Sequence, residues 1–422
     1  MGGAAIAVMA GLVFGYALLA RRLTLANVTA PTLSLLAGLL VFAVTGIELD
    51  AEIVHIIAEL TLVTILFHDA STVKLSQLRQ DPGIPVRLLL LGFPLALLAT
   101  FAVTRGLLPG IGVAGAWLLT ASITPTDAGL GAPTVLNPVV PVRVRRGLNV
   151  ESGLNDGLAT PIVLLALGAL ATEAGDSTPG VLKVGVVPIL LALVVAIGGG
   201  LAAAWTLDRS RLHHLSGHRG RAIATLTLPL LLFGMAEVVG ANAFIAAFVG
   251  GLIFGGACTT LADEPETAEL VEVSADLLGF VVWFFAGGIL LLVFEYDFSW
   301  KWPVLALLTL TVLRIVPVFL ALLGTGFKWP TVMFLGWFGP RGLATIVFGL
   351  LSAQELGTDS SVMPDLAGVI AFTVLFSVVA HGFSAGPLAA AYGAWAHRTH
   401  APIEQEPSVE PMRTRGVPAS DR

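Results

Sequence analysis

Cysteine is nearly absent from this chain of 422 residues: Cys258 stands alone, so no internal disulfide can form and a thiolate metal site is not suggested. Charge is scarce as well. Charged residues make up 12% of the chain against 56% hydrophobic, and the mean hydropathy is +0.90, too little polar surface for a soluble fold. Period-two alternation of polar and apolar residues is missing, which excludes a membrane β-barrel. Gly-rich dinucleotide loops and phosphate loops are missing too, so no ATP-driven pump is indicated. The formal net charge of −6 has its acidic share spread over short loops; it identifies no charged partner, and no nucleic acid is expected.

Long apolar runs are abundant. A helix needs about 20 apolar residues to cross roughly 30 Å of hydrocarbon, and the chain supplies about thirteen such runs. They lie near residues 4–20, 30–47, 51–68, 86–106, 111–131, 147–171, 180–206, 221–237, 239–257, 268–294, 302–323, 330–355 and 362–389. The expected fold is therefore an all-α polytopic membrane protein. Met1 to Ala20 has neither a basic leader nor a small-residue cleavage pattern and reads as the first span. Lys and Arg cluster in the odd-numbered loops (Arg21 and Arg22; Lys74, Arg79 and Arg87; Arg143, Arg145 and Arg146; Arg209, Arg211, Arg219 and Arg221; Lys328). The even-numbered loops are mostly acidic (Glu48 and Asp50; Glu173 and Asp176; Glu295 and Asp297; Glu355, Asp359 and Asp365). That bias places the N-terminus outside and the C-terminus in the cytoplasm, in the cell membrane. Only the loop from Asp263 to Glu269 breaks the pattern. The polar, Pro-rich end of the chain reads as a disordered tail.

Two spans are interrupted. Thr124, Pro125, Thr126, Asp127, Ala128 and Gly129 fall inside the fifth, and Gly339, Pro340, Arg341 and Gly342 inside the twelfth. Proline removes a backbone donor and glycine adds freedom, so each site is expected to open its helix, and backbone opened at that depth must be buried or line a cavity. The breaks lie seven spans apart, an odd number, so their segments run in opposite directions. This is the pattern of inverted repeats with two broken crossing helices and a transport site between them.

The sixth span carries a polar cluster, Glu151, Ser152, Asn155 and Asp156. An acid at mid-membrane costs about 2.5 to 3.5 kcal/mol even on insertion scales, so these groups must face partners or water. Ser152 and Asp156 share one helical stripe, read as lining an ion path; Glu151 and Asn155 share the next, read as bracing it. Na⁺ prefers oxygen ligands, which the Asp156 carboxylate, the Ser152 hydroxyl and carbonyls freed near Thr126 would supply. Arg341 keeps its charge at cellular pH and needs an anion, for which Glu151 is the expected partner. Asp127 has two open roles, neutralising a helix end or touching the ion. Asp69, beside His68, is either an interfacial acid near Lys74 or a support at the ion entrance. Arg314 reads as a buried structural charge, His381 as a satisfied helix histidine, and Gly198 to Gly200 as a close-packing run.

Three motifs, Ile123 to Gly129 (ITPTDAG), Asn149 to Gly157 (NVESGLNDG) and Gly339 to Phe348 (GPRGLATIVF), resemble those of the sodium/proton exchangers in the electroneutral branch of the monovalent cation:proton antiporters. The resemblance covers residues 4 to 390. It implies dimerisation helices at 1–85 and 207–296, core helices at 86–172 and 297–390, a linker helix at 173–206, a tail at 391–422, and a homodimer. It also implies that Asp156 carries either cation or proton, that Thr126, Asp127 and Ser152 form or support the ion site, and that Glu151 pairs with Arg341 beside Asn155. Ala128 departs from the proline that many relatives carry there. Asn155 replaces the second aspartate of electrogenic relatives, which implies one proton per sodium.

The expected function is Na⁺ (or Li⁺)/H⁺ antiport, with monovalent cations and protons as cargo, no cofactor and no enzymatic reaction. A K⁺ or organic-solute transporter of the same architecture is the alternative. An intramembrane protease built on Asp127 and Asp156 is disfavoured, because neither a Gly-x-Gly-Asp pattern nor a serine and histidine dyad is present and the two broken helices would go unexplained.

Overall fold

The computed structural model describes residues 3–25, 28–46, 51–73, 83–127, 129–131, 134, 137–173, 186–293, 296–357 and 359–399. Ala128, the loop charges Glu48, Asp50, Lys74, Arg79, Asp176 and Glu295, and the tail from His400 onward lie outside the described residues. Among the described residues the regular structure is all helical, as the composition requires. The helices are α1 Gly3–Leu25, α2 Ala30–Thr45, α3 Ala51–Thr72, α4 Gly83–Leu107, α5 Gly112–Ile123, α6 Val142–Glu173 and α7 Val187–Leu212. They continue with α8 His218–Val238, α9 Ala243–Ala257, α10 Glu269–Leu292, α11 Lys301–Ala321, α12 Trp329–Trp337, α13 Leu343–Leu356 and α14 Met363–Thr399. Eight of the described helices are long and apolar enough to cross a bilayer, and five shorter apolar helices accompany them. The last helix runs past residue 389, where the thirteenth apolar run ends, because Ala389, Tyr392 and Ala396 still find buried positions.

Local chemistry sets several helix boundaries. Thr29 caps α2 by accepting the Thr32 N–H, and Asn242 caps α9 by accepting the Ile245 N–H. In α4 the helix widens to a π turn over Leu88–Gly92, directly ahead of Pro94, which has no N–H to continue the ladder.

Small residues decide which helices touch. A Cβ on Gly38 of α2 would lie 1.8 Å from the Phe284 carbonyl oxygen, and one on Gly287 of α10 would lie 2.3 Å from that of Leu35, so α2 and α10 meet backbone to backbone. In the expected close-packing run of α7, Gly199 and Gly200 pack against Leu232 and Gly250, whereas Gly198 faces open space. α2, α3, α7, α8, α9 and α10 pack among themselves, as do α4, α5, α6, α11, α13 and α14, with α3 and α9 touching α6.

The acidic loop that broke the charge pattern has a local explanation. Arg211, near the end of α7, pairs with Asp263 at 2.6 Å and Glu264 at 3.2 Å, and Arg221 of α8 pairs with Glu264 at 2.6 Å. The exceptional acids therefore sit at the same end of the bundle as the arginines of the preceding basic loop and balance them.

Candidate ion-binding site

The site is assembled on α6, which stays helical through its polar cluster and buries Glu151, Ser152, Asn155 and Asp156 together. Gly157 lets α6 approach α9: a Cβ there would lie 2.3 Å from the Phe248 ring. On the other side α5 ends at Ile123. Thr124 N–H still reaches Thr120 O at 3.0 Å, but Pro125 has no hydrogen to give, and Thr126 is no longer helical.

Thr126 then lands on α6. Its Oγ1 accepts a hydrogen bond from Asn155 Nδ2 at 2.7 Å and lies 2.9 Å from Ser152 Oγ. One threonine thus knits the two stripes of α6, placing a pair of hydroxyl oxygens one helical turn from the Asp156 carboxylate, on its own face. Asp69, near the end of α3, packs over Gly153 of α6, its Cβ 3.5 Å from where a glycine Cβ would be, and bonds His68 Nδ1 at 3.0 Å. It therefore lies against α6 beside Ser152.

The second interruption separates α12 from α13, and the two breaks hold each other. Asp127 N–H donates to Pro340 O at 2.7 Å. The Asp127 carboxylate accepts the Leu130 N–H at 2.8 Å through Oδ1 and the Leu343 N–H at 2.6 Å through Oδ2. Leu343 opens α13, so Asp127 puts a negative charge on the positive end of that helix, the geometry of the first of its two open roles. Gly342 makes the approach possible, because a Cβ there would sit 2.2 Å from Asp127 Oδ2. The converse contact comes from Arg341, whose guanidinium donates to Thr124 O at the carbonyl end of α5 and to Thr309 O of α11 at 3.3 Å. Each break thus supplies the charge that the other helix end calls for.

This arrangement corrects the expected pairing of Glu151 with Arg341. Glu151 is fully buried and is held by Arg314 of α11, Nη1 on Oε1 and Nη2 on Oε2, the latter at 2.7 Å. Arg341 is already committed to the carbonyls of Thr124 and Thr309, and Gly339 leaves room for Arg314, whose Nε would lie 2.6 Å from a Cβ there. The sequence marks Arg314 only as a buried charge; the signal it offers for the pairing is two arginines, Arg314 and Arg341, inside apolar spans against the single glutamate of the polar cluster. Glu151 and Asp156 both still lie close enough to Arg341 to feel its charge. His381 of α14 also reaches the break: its Nε2 lies 3.0 Å from Trp337 O and its Nδ1 3.3 Å from Ser377 Oγ.

Two neutralised helix ends facing a carboxylate and paired hydroxyls are the setting in which comparison with known proteins becomes informative. A family model described as the sodium/hydrogen exchanger, transmembrane, matches residues 6–391. The chain belongs to that family. Among curated relatives, the chain is 25% identical over 314 residues to the Na(+)/H(+) antiporter of Schizosaccharomyces pombe, an alignment covering 68% of this chain and 67% of the relative. It is likewise 25% identical over 319 residues to Na(+)/H(+) antiporter 2 of Zygosaccharomyces rouxii, covering 66% of this chain but only 38% of that protein. The fold of the chain matches the structure of the sodium proton antiporter MjNhaP1 from Methanocaldococcus jannaschii at pH 8, with a TM-score of 0.70, 22% identity, and coverage of 92% of this chain and 98% of that one.

Proposed function

We propose that this family member is a secondary-active Na⁺ (or Li⁺)/H⁺ antiporter that exchanges one cation for one proton by alternating access, with Asp156 binding either ion in turn. The observation that carries the reading is the hydroxyl pair of Thr126 and Ser152, 2.9 Å apart, on the helix face of Asp156. Together with the carboxylate they offer the hard oxygen ligands that a small alkali cation takes. The neighbouring acids are already engaged: Glu151 holds Arg314 through both oxygens, and Asp127 holds backbone N–H groups through both. Asn155 cannot titrate and spends its amide on Thr126. One carboxylate that alternates between Na⁺ and H⁺ moves one positive charge each way, so the cycle is electroneutral.

In this reading the group containing α4, α5, α6, α11, α13 and α14 is the moving core, and the group containing α2, α3, α8, α9 and α10 is the dimerisation scaffold of a homodimer. The protein sits in the cell membrane with its N-terminus outside, and Asp69 supports the entrance to the site. Reconstitution of the purified protein in liposomes, with Na⁺, Li⁺ and K⁺ gradients applied separately and internal pH followed, tests the proposal. Proton movement driven by Na⁺ or Li⁺ supports it, and movement driven by K⁺ alone or by none of the three rejects it.

A further inference from the structure

The residues between α12 and α13 carry two essential contacts, Pro340 O on the Asp127 N–H and Arg341 on Thr124 O, yet helical hydrogen bonding stops there. Something outside the run must set where it lies. α14 binds the run's flanks from both sides. At the α12 end, His381 Nε2 is 3.0 Å from Trp337 O, and the Trp337 indole Nε1 donates to Ser384 Oγ at 2.9 Å. At the α13 end, Ser377 Oγ accepts the backbone N–H of Arg341 at 2.6 Å. His381 and Ser377 are one helical turn apart and touch each other, Nδ1 lying 3.3 Å from Oγ. Both ring nitrogens face carbonyl oxygens, Nε2 that of Trp337 and Nδ1 that of Ser377 at 3.1 Å; the Ser377 carbonyl already lies one turn before the backbone N–H of His381 within α14, so the ring hydrogen is assigned to Nε2. Trp337 is the last residue of α12, and its carbonyl takes the Gly339 N–H at 2.9 Å but no helical donor; the ring bond adds a second anchor at the carbonyl end of that helix.

We propose that His381 is a positioning residue for ion exchange: its Nε2–H fixes the end of α12 while Ser377 fixes Arg341, and together they hold the non-helical run in register with Thr126 and Asp127. The inference rests on the antiporter reading above. The chain of contacts is continuous, from His381 and Ser377 through Trp337 and Arg341 to Pro340, then across to Asp127 and its neighbour Thr126, which bonds Ser152 and Asn155. A shift of the run would move Thr126 off α6 without removing any group that touches the ion.

The test compares two amides of different reach in proteoliposomes. In His381→Gln the terminal amide nitrogen can take the place of Nε2; in His381→Asn it ends one bond short and reaches only toward Ser377. His381→Gln should keep the apparent KM for Na⁺ within about twofold of the unaltered protein, whereas His381→Asn should raise it about fivefold, the scale of one lost net hydrogen bond. The maximal rate at saturating Na⁺ and the thermal midpoint in detergent should change little in either. A filler role for the ring would make the two variants alike, and equal KM values would overturn the proposal. If His381→Asn does not insert, Ser377→Ala decides, since it releases the Arg341 N–H while leaving the Nε2 contact to Trp337 in place; an unchanged KM there would also overturn it. Unaltered protein that exchanges nothing in the same vesicles would instead remove the antiporter reading itself.

Discussion

Replacing Arg314 by alanine would leave Glu151 as an anion in a site of no solvent exposure. The two charge-assisted bonds that join them are worth about 1.5 to 3 kcal/mol each when made. Removing one member of such a buried pair is expected to cost about 3 to 5 kcal/mol, because the stranded charge stays desolvated. Removing both is gentler: Glu151→Gln with Arg314→Gln keeps the shape and leaves no net charge. The structure therefore predicts a coupling between positions 151 and 314 on the order of 2 to 3 kcal/mol, at the top of the range for residues in direct contact. For Glu151 and Arg341, which bond to other partners and not to each other, the coupling should stay below about 1 kcal/mol. The assay is a double-mutant cycle on stability in detergent, read by denaturant unfolding or ranked by thermal midpoint. Arg341→Gln should also destabilise, since Thr124 O and Thr309 O lose their donor, but it should not be rescued by Glu151→Gln. A cycle in which Arg341 couples to Glu151 more strongly than Arg314 does would refute the reasoning.

Three further outcomes follow from the site. Asp127→Ala removes the acceptor for Leu343 N–H and the charge at the start of α13, and should lower stability by about 1 to 2 kcal/mol, the cost of a lost helix cap, with Asp127→Asn intermediate; equal stability of all three proteins would count against the helix-end role. Under the proposal that Na⁺ and H⁺ compete for Asp156, lowering the pH should raise the apparent KM for Na⁺ while the maximal rate holds, and high pH should slow exchange as reprotonation becomes limiting, giving a bell-shaped profile; a constant KM on the acid side would exclude a shared carboxylate. An imposed potential, worth about 2.3 kcal/mol per net charge per 100 mV, should not move the Na⁺ gradient at which proton flux reverses in valinomycin-clamped vesicles, and any such shift would end the one-for-one assignment.

The parts of the fold that are legible from sequence are those governed by the chain's own neighbours. Run length and apolarity announce helices because lipid leaves the backbone no other way to satisfy itself, and Pro125, Gly339, Pro340 and Gly342 announce the interruptions because their defects are local. The partner of Glu151 is a different kind of fact. Arg314 and Arg341 are both buried guanidiniums, 163 residues from Glu151 in the first case, and choosing between them requires knowing that a carbonyl end already claims Arg341. The acidic loop at Asp263 and Glu264 is similar: its sign is anomalous when loops are counted singly and ordinary once Arg211 and Arg221 are seen across the bundle end. Thr126 lies between. Its place beside a break is visible in the motif, but the bonds by which it joins Asn155 to Ser152 depend on how α5 ends over α6.

The central claim is that one carboxylate, Asp156, carries both ions, and Asp156→Asn tests it most directly. The Glu151–Arg314 pair and the reciprocal helix-end contacts of Asp127 and Arg341 do not use Asp156, so the variant should fold and insert like the unaltered protein. In proteoliposomes with an outward Na⁺ gradient the account predicts no proton uptake above that of empty vesicles at any pH. Na⁺-driven proton flux in Asp156→Asn at the rate of the unaltered protein would contradict it.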